Sequence, residues 1–214
     1  MARVREFDTE AALDAAMTVF RSRGFAAASI QELVDATGVG RGSLYAAFDS
    51  KEGLYLAVLD RYQELQVDSV IEALRRDAPA PVLLRDMLVD LVDQIVRDDR
   101  RLSCLMISAS VERCAHDEQV ADRVRRAIDA LEDTLTEVIS TGQRLGQLTS
   151  TRPPRDLARF LHITMRGLRS ISGTIDSPID SPIDSPIGGS IGGSIGPDRD
   201  ALLRTAEVAL RCLD

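Results

Sequence analysis

The chain has 214 residues, and its 44% hydrophobic and 28% charged residues are an ordinary globular balance, while the net charge of −8 argues against a protein that binds nucleic acid over its whole surface. No apolar run approaches the roughly 20 residues of a membrane span, and Met1 to Glu6 lead into an amphipathic pattern without an apolar signal region, so a cytoplasmic, membrane-free protein is expected. Cys104, Cys114 and Cys212 are scattered with no Cys-x-x-Cys pair, which leaves neither a disulfide framework nor a zinc site; no metal and no cofactor are expected.

Apolar residues recur at three and four almost everywhere before Thr174, so the fold is read as all-α. Helix 1 runs from Thr9 to Arg23 on a stripe of Leu13, Ala16, Met17 and Phe20, with Gly24 as its C′ stop. Ser29-x-x-Glu32 is a capping box opening helix 2, which stops at Thr37-Gly38. Helix 3 spans about Arg41 to Phe48. Asp49-x-x-Glu52 caps a long helix 4 that begins near Ser50 and continues to Arg76 or Asp77, where Pro79 and Pro81 break it. Further helices are expected at about Val82 to Arg97, at Leu102 to Ala115 with Cys104 and Cys114 on it, and at Glu118 to Leu145. The last of these carries a near-heptad stripe of Val120, Val124, Ile128, Leu131, Leu135 and Val138. Two more span about Arg155 to Ile171 and Asp198 to Leu213.

Between those two lies a period-four repeat, Ile-Asp-Ser-Pro starting at 175, 179 and 183 and then Ile-Gly-Gly-Ser starting at 187 and 191. Proline every fourth residue and paired glycines raise the ordering cost, while one isoleucine in four buries little, so residues 174–197 read as a flexible loop, most simply a tandem expansion. Gly192-x-Ser194-x-Gly196 matches a nucleophile elbow, but Gly188 to Gly192 matches equally, no strand precedes it and no histidine follows His162; an enzyme is not expected.

Ser29 to Phe48 supplies two short helices joined by a glycine turn, the layout of a helix-turn-helix. Ile30, Leu33, Val34, Val39, Leu44 and Phe48 close on helix 1, leaving the other face of helix 3 outward. In such motifs the start of the second helix meets base edges, which selects Arg41, Gly42, Ser43 and Tyr45. Arg41 suits guanine or phosphate, and Gly42 permits close backbone approach. Ser43 suits a base edge or phosphate; Tyr45 suits a thymine methyl, or else the core. Lys51, the only lysine, sits in the first turn of helix 4, where the helix dipole opposes a cation; a phosphate partner would explain it, as would plain solvation. Ser29 caps its helix and could also face phosphate. Charge does not announce this site, since the first 60 residues hold six basic and nine acidic side chains.

Phe20-x-x-x-Gly24-Phe25, Ala28-Ser29-Ile30, Gly38-Val39-Gly40-Arg41-Gly42-Ser43-Leu44-Tyr45, Phe48 and Ser50-Lys51-Glu52-Gly53-Leu54 together resemble the N-terminal domain of TetR-family regulators. The resemblance implies a three-helix DNA-binding domain at 1–56 and a helical ligand-binding and dimerisation domain at 57–214, about nine helices in all. It implies a homodimer formed through the helices at about 155–171 and 198–213, with Leu157, Phe160, Leu161, Thr164, Leu168, Ile171, Leu202, Ala206, Ala209, Leu210 and Leu213 as the apolar surface. It also implies a repressor that leaves a palindromic double-stranded DNA operator when an unidentified small-molecule effector binds. For the effector cavity the same resemblance points to Met87, Leu91, Met106, Ser110, His162, Met165, Arg166 and Arg169.

Leu102-Ser103-Cys104-Leu105-Met106-Ile107 resembles a helix start in a branch of the family that responds to electrophiles and oxidants. Cys104, at a helix start beside Arg100 and Arg101, is thus either a sensing thiol or a small buried hydrophobe. Control by a protein partner is the other alternative, marked by a collapsed C-terminal core; a cavity of several hundred Å³ would mark a sensor.

Overall fold

The computed structural model describes residues 7–98, 102–149, 151–174 and 198–213, and every regular element among them is helical. The first helix, α1 (Thr9–Ala27), starts on Asp8, whose carboxylate accepts from the Ala11 amide, and is interrupted at Gly24, which adopts φ 76° and ψ 175°. That conformation suits only glycine, and a Cβ there would stand 2.1 Å from a Glu112 carboxylate oxygen. The expected capping box opens α2 (Ile30–Thr37): Ser29 Oγ accepts from the Glu32 amide at 3.1 Å, and the Glu32 carboxylate accepts from the Ser29 amide at 2.8 Å. Gly38, left-handed at φ 66°, ends α2, and α3 (Arg41–Phe48) begins after Gly40.

The cap of α4 (Lys51–Tyr62) lies one residue later than expected. Ser50, not Asp49, accepts from the Gly53 amide at 3.0 Å, while Asp49 takes φ 63° to reverse the chain after α3. The rod expected to continue as one α-helix instead passes through a π-helical turn at Gln63–Asp68 before α5 (Ser69–Leu74). It ends at Leu74, ahead of the prolines. Pro79 and Pro81 do not stop this rod; they start α6 (Ala80–Arg97), where the missing proline amide costs nothing.

Then follows α7 (Leu105–Glu112), shorter than expected, so that Cys104 is its N-cap and Cys114 lies beyond its end. Asp117 caps α8 (Glu118–Arg144), and after a turn come α9 (Pro154–Thr174) and α10 (Arg199–Arg211), the latter capped by Asp198. With the α4–α5 rod counted once, the described residues form nine helices. Apart from Thr174, the loop expected at 174–197, with its repeat and both Gly-x-Ser-x-Gly matches, lies outside the described residues.

Two large apolar cores share α8. One joins Phe20, Leu33, Tyr55 and Leu59 of the N-terminal helices to Leu105 and Ala109 of α7 and Val120 of α8. The other joins Leu84 and Leu88 of α6, Leu135 and Ile139 of α8 and Leu161 of α9, with α5 and α10 around them. Each large apolar side chain contributes about 1.5–3 kcal/mol by leaving water, so the first core anchors α1 and α4 of the N-terminal helices to α7 and α8. A third, small cluster of Ala12, Val39 and Leu44 holds α3 against α1.

The apolar residues of α9 and α10 divide differently from expectation. Leu157, Leu161, Leu168, Leu202, Ala206, Ala209 and Leu213 are buried within this chain, whereas Phe160 at 40%, Ile163 at 68% and Val208 at 62% exposure face outward. Both helices carry apolar residues on two faces, and periodicity alone does not say which face the chain covers itself. The Ile171 side chain lies outside the described residues.

Candidate DNA-reading face and effector cavity

The outward face of α3 carries Arg41, exposed, with Gly42 beside it and Ser43 and Tyr45 half-buried. Leu44 is buried, so the helix is pinned from behind while its first turn stays open. Arg41 lies along the Tyr45 ring, its guanidinium carbon 5.5 Å from the ring centre and Nη2 donating to the Tyr45 hydroxyl at 3.4 Å. That contact limits the rotamers of a long side chain before any partner arrives. A Cβ on Gly40 or Gly42 would meet nothing within 4 Å, so this stretch of backbone is bare surface. Gly40 provides no side-chain cap; its carbonyl accepts from the Ser43 and Leu44 amides at 2.9 and 3.0 Å. The Ser29 hydroxyl is already engaged, accepting from the Glu32 amide and donating to the Glu32 carboxylate at 2.9 Å. The Ser29 amide, with the Ser29 hydroxyl second, holds the Glu32 carboxyl below its ordinary range.

Lys51 has a partner within the chain. Its ammonium lies 4.5 Å from the centre of the Phe25 ring, and the Arg113 guanidinium lies over the same ring at 4.2 Å. Phe25 also packs on Phe20 and Tyr55, so α1, α4 and the end of α7 meet at one aromatic cluster. Burial pushes the Tyr55 phenol well above its ordinary value, and the nearby Glu112 carboxylate adds to that shift. Two further ties join the same elements. The Glu112 carboxylate accepts from the Phe25 and Ala26 amides at 2.8 and 3.3 Å, satisfying the backbone where Gly24 interrupts α1. Arg21 donates to the Leu102 and Ser103 carbonyls and pairs with Asp98 at 3.2 Å, while the Ser103 hydroxyl donates back to the Arg21 carbonyl at 2.6 Å.

A cavity of about 80 Å³ lies among the α4–α5 rod, α7, α8 and α9. Gln66 and Val67 of the π-helical turn form one wall; Met106, His162, Met165 and Arg166 line it as well. Met87 and Leu91 do not. They belong to the core behind α9 and border a separate cleft of about 230 Å³, because α6 packs on the far side of α9. Ser110 stands outside the lining and accepts from Arg166 at 3.3 Å. His162 is buried with Nδ1 3.1 Å from Glu132, itself buried and paired with Arg155 and Arg159. Cys104 lies in the wall between this cavity and an outer cleft of about 390 Å³ and accepts from the Tyr62 hydroxyl at 3.4 Å. Burial, assisted by Cys104, raises the Tyr62 phenol above its ordinary range, so it remains a donor at neutral pH. The cavity alone falls short of several hundred Å³; only the separate outer cleft, at about 390 Å³, is of that size.

A family profile described as bacterial regulatory proteins, tetR family, matches residues 12–58, and a tetracyclin repressor-like C-terminal domain profile matches residues 83–179. The HTH-type transcriptional repressor BdcR of Escherichia coli (strain K12) is 31% identical over 64% of this chain and 68% of its own length. The uncharacterized HTH-type transcriptional regulator YezE of Bacillus subtilis (strain 168) is 28% identical over 80% of this chain and 89% of YezE. The chain belongs to the TetR family of transcriptional regulators. Its backbone is similar to that of the TetR-family regulator CifR, determined as a cysteine mutant complexed with 26 bp operator DNA, at TM-score 0.79 and 26% identity, covering 99% of this chain and 100% of CifR.

As a TetR-family regulator the chain is a DNA-binding protein, and α2 and α3 are its helix-turn-helix. Among the described residues no helix is long and apolar enough to cross a membrane. Sequence reasoning missed Arg21, Tyr62, Glu112 and Arg113, which tie the two ends together. In the sequence Tyr62 is only one more apolar position at helical spacing after Tyr55, Val58 and Leu59. The other three are charges whose partners lie far away in the chain.

Proposed function

We propose that this TetR-family chain is a repressor that holds a palindromic operator as a homodimer and leaves it when a small molecule occupies the cavity between the α4–α5 rod and α9. Residues 1–56 act as the DNA-reading unit and 57–214 as the sensing and dimerising unit, in the cytoplasm and by binding alone, without catalysis. The observation that carries this reading is the exposed first turn of α3, pinned by Leu44 and presenting Arg41, Gly42, Ser43 and Tyr45 on bare backbone. Ser29 and Lys51 flank that face as phosphate contacts, each already held by Glu32 or Phe25. The names of BdcR and of CifR's operator complex support a repressor on duplex DNA. Phe160, Ile163 and Val208, apolar and outward on α9 and α10, support dimerisation through those helices.

The test is fluorescence anisotropy with DNA from the chain's own promoter region. Arg41→Ala should weaken specific binding by about 1–3 kcal/mol, roughly ten- to hundredfold, with far less effect on random DNA. Unchanged specific binding removes Arg41 from the readout.

A second reading, a thiol switch at Cys104, is favoured by its position between cavity and outer cleft, where a reagent in either space meets the sulfur held by the Tyr62 hydroxyl. Cys104→Ser should then keep DNA binding and lose release by N-ethylmaleimide. Release that persists in that variant, with Cys114 and Cys212 also replaced, overturns the thiol switch.

A further inference from the structure

Among the described residues only three polar side chains are buried, Glu132, Thr134 and His162. The Thr134 hydroxyl donates to the Ala130 carbonyl at 2.9 Å, within its own helix. Glu132 and His162, each 8% exposed, pair across α8 and α9 with Nδ1 3.1 Å from Oε1, and the other Glu132 oxygen is held by Arg155 and Arg159 at 3.3 and 3.5 Å. Two aliphatic side chains would fill the same space without bringing a carboxylate and an imidazole out of water, so packing alone gives this dyad no reason. A carboxylate held by two guanidinium groups only accepts, which puts the imidazole hydrogen on Nδ1 and leaves a lone pair on Nε2. His162 is part of the cavity lining, and Nε2 has no hydrogen-bond partner among the described residues. The same lining is apolar at Ile128, Leu131 and Met165, while Arg166, which also lines it, already donates to Ser110.

We infer that the effector is a small neutral molecule with an apolar body and one hydroxyl, an alcohol or phenol, whose hydroxyl donates to His162 Nε2. This rests on the reading that the cavity receives the effector, and it adds the effector's chemical class and the residue that anchors it. A lone pair in an apolar wall rewards a donor and repels an ether oxygen or an anion. The hydroxyl in turn cannot enter such a wall without an acceptor, because a buried unpaired hydroxyl costs more than it gains. At roughly 10–15 Å³ per water-sized group, a cavity of about 80 Å³ takes about five to eight heavy atoms, the size of phenol. Glu132 is a positioning residue here. It meets no ligand itself and acts by fixing which imidazole nitrogen carries the hydrogen.

The test titrates phenol, anisole and toluene into the full-length protein by calorimetry at pH 8, above the ordinary range of an imidazole. Phenol should bind about tenfold more tightly than anisole, which accepts but cannot donate, and than toluene, which does neither. In His162→Phe the hydroxyl is buried without its acceptor, so phenol should fall below toluene, while toluene stays within about threefold of its wild-type affinity and so reports an intact cavity. In Glu132→Gln the amide oxygen stays with the two arginines and the amide nitrogen donates to Nδ1, which moves the imidazole hydrogen to Nε2; anisole should then bind about as tightly as phenol. A merely structural role for Glu132 would weaken all three ligands alike. Gln66, on the rim shared with the outer cleft, is the rival acceptor, and Gln66→Leu should keep the preference for phenol over anisole. No phenol preference in the wild type, a preference that survives His162→Phe or is lost in Gln66→Leu, or a uniform loss in Glu132→Gln overturns the inference. Promoter DNA bound by a protein that shows no phenol preference sinks this inference alone; failure to bind the DNA at all sinks the proposed function.

Discussion

At the DNA-reading end, α2 and α3 have eight residues each and hold their places through a capping box, a left-handed glycine and a few buried side chains, whereas at the cavity end α8 and α9 run for 27 and 21 residues and are held by continuous apolar stripes. The first arrangement has local causes, and a single residue alters a single joint. The second is distributed, and a void is tolerated because neighbouring leucines keep the helices together. The difference teaches that local caps fix the helices of the helix-turn-helix one by one, whereas distributed packing along α8 and α9 leaves room for a cavity between them and the α4–α5 rod. The Phe25 cluster and the Arg21 ties connect the two ends.

The largest test of that contrast is Phe20→Ala. Phe20 is fully buried where α1, α4 and α7 converge, so its truncation should cost about 3–5 kcal/mol in urea unfolding and loosen both ends at once. A cost confined to the N-terminal helices, seen by amide exchange, would break the idea of a shared joint. Gly24→Ala comes next. The residue needs a glycine-only conformation, and its Cβ would displace Glu112 from the Phe25 and Ala26 amides. Stability should fall by about 1–3 kcal/mol, with faster amide exchange at those two residues.

The smallest effect is a pH dependence at Asp117, which caps α8. The Arg113 hydrogen bond, reinforced by the Val120 amide, holds its carboxyl below the ordinary aspartate value. A depressed folded value contributes stability that is present above the unfolded value and lost as pH falls through the folded one. Unfolding free energy should therefore decline below about pH 3.9, and Asp117→Asn should flatten that decline. An unchanged slope in the variant would place the acid sensitivity elsewhere.

How much was legible in the sequence follows the same contrast. The Ser29 box, the Gly38 turn and the bounds of α3 were readable because their causes lie within a few residues. The slip from Asp49 to Ser50 at the next cap has an equally local reason: both residues are good caps, and only the reversal after α3 decides between them. The cavity wall was readable at Met106, His162, Met165 and Arg166, on the α7 and α9 segments that family resemblance indicates. It was not readable at Met87 and Leu91, because the pattern of α6 does not say which side of α9 it will cover. Arg21, Glu112 and Arg113 act across about 80 residues of chain, and no spacing rule reaches that far.

The π-helical turn at Gln63–Asp68 has a consequence for how this chain tolerates insertion and deletion. A π turn accommodates one residue more than an α turn, so removing one residue there lets the rod close as ordinary α-helix with its apolar seam in phase on both sides. Removing one residue elsewhere in the rod rotates everything beyond it by roughly 100° and turns buried leucines to water. The turn is thus a length buffer between the half of the rod that carries Tyr55 and Tyr62 and the half that carries Ile71 and Leu74. A single-codon deletion within 63–68 should leave a folded protein, where the same deletion at 56–60 should not.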